Sequence, residues 1–142
     1  METPDTEHTR PEGASDAAVE AAGRMSEALE KLERARGHLY GFHQLIGEAD
    51  CALDDVLEGL RACGEDELAR RLETELLGRN VIPGRWTFQI VEEFDDGYWE
   101  VFRAHERAVR DALVAGRRHV HESEMKERRR SHGQSGHEAR PD

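Results

Sequence analysis

Aromatic residues make up only 6% of this 142-residue chain, and it has just four prolines and two cysteines. No uninterrupted apolar stretch approaches the roughly 18 residues that a membrane span requires. Few aromatics beside 36% charged residues are poor material for a sandwich or barrel of strands; they suit amphipathic helices around a modest core. The first twenty residues lack a basic start followed by an apolar stretch, so no secretory signal is read and a cytoplasmic location is expected. The cysteines agree, because Cys51 and Cys63 fall on one expected helix about 18 Å apart, beyond disulfide reach. Cys63 reads as a small core residue and Cys51 as a free thiol on the outer face.

Excess basic charge is also missing. The net charge is −11, with 20 acidic against 11 basic side chains between Met25 and Gly116, so phosphate-backbone binding by the main body is not expected and nucleic acid is not the expected partner. From Arg117 onward the balance reverses to 7 basic against 5 acidic, with four of the eight histidines. The chain is electrically two-sided.

What the chain does have is a strict heptad. Met25, Leu32, Leu39, Ile46, Leu53 and Leu60 recur every seven residues. A second row three places on, Ala28, Ala35, Phe42, Ala49, Val56 and Cys63, is also wholly non-polar. Such a pattern predicts a long helix with a narrow apolar seam that must be buried against other helices, as in a coiled coil. Over 39 residues it would span about 58 Å, whereas a compact domain of this length is about 40 Å wide. The helix therefore either bends, at Gly37, Gly41, Gly47 or Gly59, or pairs with a second chain.

Composition divides the chain into a disordered leader over residues 1–14, a helical domain over 15–116, a polar arm over 117–130 and a disordered tail over 131–142. Ser15 is placed to cap the long helix, and Gly64 to end it. A short second helix follows from Glu65 to Gly78, with Leu68, Leu72 and Leu76 on one edge. A loop over Arg79–Arg85 has Val81 and Ile82 expected to fold inward. A third helix runs to about Ala115 on the stripe Val91, Phe94, Tyr98, Val101, His105, Ala108, Ala112 and Ala115, with Gly97 as its weak point. The arm has only Val120 and Met125 as large apolar residues, too little to dock strongly. The expected fold is an all-α antiparallel bundle, completed across a homodimer.

Candidate chemistry centres on His105, the one strongly polar residue of the third stripe. His43 and Asp50 lie seven apart beside the heptad seam, and with His105, Glu92 and Glu93 they could form a carboxylate and histidine metal site inside the bundle. No histidine has Glu three residues before it, which argues against the common di-metal arrangement. Glu92, Glu93, Asp95 and Asp96 beside Phe94, Tyr98 and Trp99 could attract a cationic ligand, though a solvated helix face is the simpler reading. In the arm, His119 and His121 precede Glu122 and Glu124; alternate residues point to opposite faces of a helix, so this pair is a poor chelate. Lys126, Arg128, Arg129 and Arg130 form the one basic cluster. Phosphate-loop glycines, Cys-x-x-Cys, His-Glu-x-x-His and a nucleophile elbow are all missing.

The blocks Gly78–Phe88 (GRNVIPGRWTF) and Glu124–Gly133 (EMKERRRSHG) resemble those of a family of small helical proteins of high-GC actinobacteria. The resemblance runs from about Arg36 onward, implies a bacterial cytoplasmic protein, and brings no known activity and no functional residue. The expected function is a non-enzymatic interaction or assembly protein that self-associates through the seam, with Leu32, Leu39, Phe42, Ile46 and Leu53 as contact residues. No cofactor is predicted. The alternatives are a metal- or small-ligand-binding bundle, with or without enzymatic activity, centred on His105, and binding of nucleic acid or an acidic partner by the arm at Lys126–Arg130.

Overall fold

The structure, a computed structural model, describes residues 2–140. It is an all-α helical bundle. A one-turn 3-10 helix at Thr6–His8 precedes α1 (Asp16–Ala62), α2 (Asp66–Glu75) and α3 (Thr87–Phe94); a π-helical segment, Asp95–Trp99, leads into α4 (Glu100–Val114), and α5 (Val120–Arg129) follows. Among the described residues there is no strand, only a single backbone bridge between Ile82 and Arg85 across the Pro83-Gly84 turn. No described helix is long and apolar enough to cross a membrane.

The long helix starts and stops where its caps dictate. Ser15 Oγ accepts from the Ala18 amide at 3.1 Å, meeting one of the first-turn donors left without a helical partner. At the other end Gly64 takes φ +83°, the Gly64 amide donates to Arg61 O at 3.2 Å, and the Glu65 amide donates to Leu60 O at 2.8 Å. That is a Schellman closure, in which only glycine adopts the left-handed step without cost. Gly37, Gly41, Gly47 and Gly59 all remain α-helical, so the 47-residue helix is continuous.

The chain divides into two units, residues 1–33 with 99–142, and residues 34–98. In the first, Val19 and Ala22 of α1 pack with Val114 of α4 and Val120 of α5. Each fully buried valine contributes roughly 1.5 kcal/mol or more. Glu106 of α4 is also buried, and Arg110 donates to it twice, at 2.9 and 3.2 Å, while a third guanidinium nitrogen donates to Gly116 O. A buried carboxylate is tolerated only when paired in this way. The leader is not featureless: Arg10 bonds Glu124 and Asp16, and Arg117 reaches Thr9 O. The arm, expected to dock weakly, is anchored by Val120, which is 3% exposed.

Close approach makes that anchoring possible. A methyl group built on Gly23 would lie 2.7 Å from His121 Cβ, so α5 sits against α1 only because Gly23 has no side chain. At Gly37 a methyl group would meet nothing within 4 Å.

In the second unit, α2, the loop and α3 return along α1, and the face they cover differs from the expected seam. The first heptad row is half-buried at Leu39, Ile46, Leu53 and Leu60. Its inner companion is the row Arg36, His43, Asp50 and Leu57, which sits about 40° to one side, whereas Ala35, Phe42, Ala49, Val56 and Cys63 sit about 60° to the other side and are all exposed. One return chain covers one flank of a seam. The other flank stays open, so Cys63 is a surface residue rather than a core one. Val81 and Ile82, expected inside, are 39% and 47% exposed.

The third stripe fails for a local reason. A π turn holds one more residue than an α turn, so Asp95–Trp99 rotates everything after it by about 100°. Val91 and Phe94 face inward as expected, but from the last residue of the π segment onward the covered positions become Trp99, Phe102, Glu106, Val109, Leu113 and Val114. Tyr98, Val101 and His105 turn out to solvent.

Two glycine substitutions therefore have opposite expected signs. Gly23→Ala forces α5 from α1 and lowers stability by about 1–3 kcal/mol, while Gly37→Ala raises it by up to about 1 kcal/mol, both read from thermal or urea unfolding.

Candidate functional site

The row that tucks under the return chain is polar where the expected second row is apolar. At intervals of seven residues along α1 it reaches successive points of the returning segment. Arg36 donates to both Asp95 oxygens, at 2.8 and 3.1 Å. The His43 ring and Thr87 Oγ1 are 2.7 Å apart. Asp50 Oδ1 accepts from the Gly78 amide at 2.9 Å. Leu57, the fourth member, is 5% exposed. As the α1 number falls the partner number rises, so α3 runs antiparallel to α1 and its register is set by these bonds.

Each tie has a local cause. Gly78 follows α2 with φ +70°, and its amide, pointing out of the helix end, needs an acceptor that Asp50 supplies. Thr87 is the first residue of α3, and Gln89 Oε1 accepts from the Trp86 amide at 2.9 Å to close the turn before it. Asp95 opens the π segment; there the Tyr40 hydroxyl also donates to it, and Arg36 lies over the Tyr40 ring at 4.8 Å. The Arg36 guanidinium, followed by the Tyr40 hydroxyl, holds the Asp95 carboxyl below the ordinary carboxylate range, and Asp95 pushes the Tyr40 hydroxyl up.

Between Asp50 and the loop lies a groove of about 490 Å³, within the size range of ligand and side-chain pockets. Ile46, Ala49, Leu53, Leu76, Val81 and Trp86 give it mostly apolar walls, and Asp50, Arg79 and Asn80 give it a polar edge. Trp86, 56% exposed and 5.0 Å from Phe88, lies on its rim. The groove is made from the Gly78–Phe88 block that stands out in the sequence.

The expected metal set is placed otherwise. His43 is bonded to Thr87 and Asp50 to Gly78; Glu93 pairs with Arg85, and Glu92 and His105 are exposed on the surfaces of α3 and α4. In the basic cluster, Lys126, Arg128 and Arg129 are exposed, but Arg130 is folded back, bonding Glu127, His137 O and Glu2 O. A ligand-type group not expected from the sequence is formed in the first unit by Glu30, His119 and Glu122. Its members are 89 residues apart or more along the chain except for the i, i+3 pair, so spacing alone gives no signal.

Compared with known proteins, the chain matches no family model, no curated protein and no solved structure.

Asp95→Asn keeps the shape of the side chain and removes its charge. It should cost about 1–3 kcal/mol near neutral pH, by urea unfolding. Because the folded carboxyl titrates below the unfolded one, its stabilisation is present above the ordinary carboxylate range and is lost as pH falls through and below that range. The difference between wild type and Asp95→Asn should shrink over that window.

Proposed function

We propose that the protein is a non-enzymatic assembly module whose second unit binds a second copy of the same chain through the uncovered flank of α1. The observation that carries this is the distribution of exposed apolar side chains. Of the twelve large hydrophobic residues left exposed among the described residues, ten fall in residues 34–98: Phe42, Leu45, Val56, Leu68, Leu76, Val81, Ile82, Trp86, Phe88 and Tyr98. The fully buried hydrophobics of that unit are Leu57, Ala69 and Val91 alone. A unit with so much of its apolar surface outside is short of a core, and an apolar helix face is completed by another helix.

The uncovered flank is continuous. Ala35, Phe42, Ala49, Val56 and Cys63 form one edge, and Leu45, Ala52 and Gly59 form the other, with His38 as the single polar member. Small residues at Ala49, Ala52 and Gly59 permit close backbone approach. An antiparallel second copy sets exposed Arg34, at one end of the stripe, against exposed Asp55 and Glu58, toward the other. The stripe is about 42 Å long and one helix wide, so two copies bury on the order of 800 Å² through it. That is below the roughly 1,200 Å² of a standard stable interface, and Ala49 extends the patch into the Trp86 groove. A reversible dimer follows, rather than a permanent one.

Sedimentation equilibrium should give a concentration-dependent monomer–dimer mixture. Leu45→Glu and Phe42→Glu, both at exposed positions, should each abolish it while leaving the circular dichroism spectrum unchanged, and Arg34→Glu should weaken it severalfold. Mild oxidation of the wild-type dimer should give no Cys63–Cys63 disulfide, because the two thiols lie at opposite ends. A chain that stays monomeric up to a concentration on the order of 1 mM, or a dimer indifferent to Leu45→Glu, refutes the reading.

A further inference from the structure

Three metal-ligating side chains converge in the unit formed by residues 1–33 and 99–142. Glu30 comes from α1, His119 immediately precedes α5, and Glu122 lies in its first turn; one donor atom from each is within 4.8 Å of the others. His119 Nδ1 and Glu122 Oε2 are 4.0 Å apart. Glu30 has no ion-pair partner among the described residues, so it is not committed elsewhere.

The fold brings them together in two steps. Val120 is buried against Val19 and Ala22, and His121 packs on the bare backbone of Gly23, which fixes the start of α5 on α1. His121 is thereby used as a packing residue. His119 is held in the left-handed region with φ 57° as the residue before the helix, and its i, i+3 relation to Glu122 places both at the same end of α5.

One imidazole and two carboxylates are a donor set for a borderline divalent ion such as zinc, and three protein ligands leave a coordination position open. Around zinc, donors at about 2.1 Å stand about 3.4 Å from one another, so the three side chains need to close by at most about 1.5 Å. Glu30 and His119 are exposed and Glu122 is half-buried, so rotamer changes suffice. Glu30 and His119 also line a cavity of about 290 Å³ together with Arg107 and Arg118, neither of which has an ion-pair partner among the described residues. The room and the charge needed for water or a small oxyanion as the remaining ligand are both there.

The geometry points to a zinc-class ion held by Glu30, His119 and Glu122, which clips the start of α5 to α1. This is a function separate from self-association, and it is tested in the Leu45→Glu chain so that assembly does not enter the readout. Titration with zinc chloride in a calorimeter should show one equivalent bound, and the melting temperature should rise with zinc, since an ion that binds only the folded form stabilises it. His119→Ala and Glu30→Gln should each weaken binding at least about tenfold and remove the zinc-dependent rise, with melting in chelator unchanged. The double variant His132→Ala, His137→Ala should bind as the parent does. Absence of stoichiometric binding, binding unaffected by His119→Ala, or loss of binding only in the His132/His137 variant, which would mark adventitious capture by the tail, overturns the site.

Discussion

An unbroken helix of 47 residues cannot fold back on itself, so each of the two units has to be built by laying later parts of the chain against its own stretch of α1. Helical continuity through Gly37, Gly41, Gly47 and Gly59 is the constraint behind everything else. Each glycine costs up to about 1 kcal/mol against alanine, and the intervening leucines, alanines and arginines are good helix formers that outweigh it. The ends are set by the Ser15 cap and the Gly64 closure, both of which are local chemistry.

The two units solve the packing problem differently. Residues 1–33 and 99–142 build an apolar centre of small side chains and add one largely buried ion pair, Glu106 with Arg110. Removing one partner of such a pair leaves a buried charge, which typically costs about 3–5 kcal/mol, so this pair holds α4 in a single rotation. Residues 34–98 bury less and specify register with polar ties at seven-residue spacing, from Arg36 to Asp95, His43 to Thr87 and Asp50 to Gly78.

Most of the architecture was readable from local patterns, because caps, loop residues and apolar periodicity act over a few residues. The all-α class, the start and end of α1, and the short second helix follow from Ser15, Gly64 and Gly78 in this way. Three things were not readable. Heptad periodicity locates an apolar row but cannot say which of its neighbours faces inward, and here the inner row carries Arg36, His43 and Asp50 while the apolar row with Phe42 and Val56 stays outside. His43 and Asp50 stood out as candidate ligands because they are polar beside a seam; each bonds to the returning segment. The second is the π segment: Gly97 marks a weak point, but the extra residue that turns His105 outward is a tertiary outcome, stabilised where Asp95 meets Arg36 and Tyr40. The convergence of Glu30 with His119 and Glu122 depends on α5 docking over Gly23, and no spacing rule spans that distance.

Polar ties and an outward apolar flank belong together. A hydrogen bond exchanged with water contributes only about 0.5–1.5 kcal/mol net, and up to about 3 when a charge is involved, so three half-exposed ties fix a register more effectively than they stabilise a fold. Strengthening them requires that water be kept away, because a lower local dielectric raises the value of each bond. A second helix laid along Phe42, Leu45 and Val56 would bury those side chains directly, and would also dry the adjoining row of Leu39, Ile46 and Leu53, beneath which the ties lie. On the proposed mode of association, assembly and internal register would be one equilibrium: a second copy covering the flank would also firm the hold of α1 on Asp95, Thr87 and Gly78.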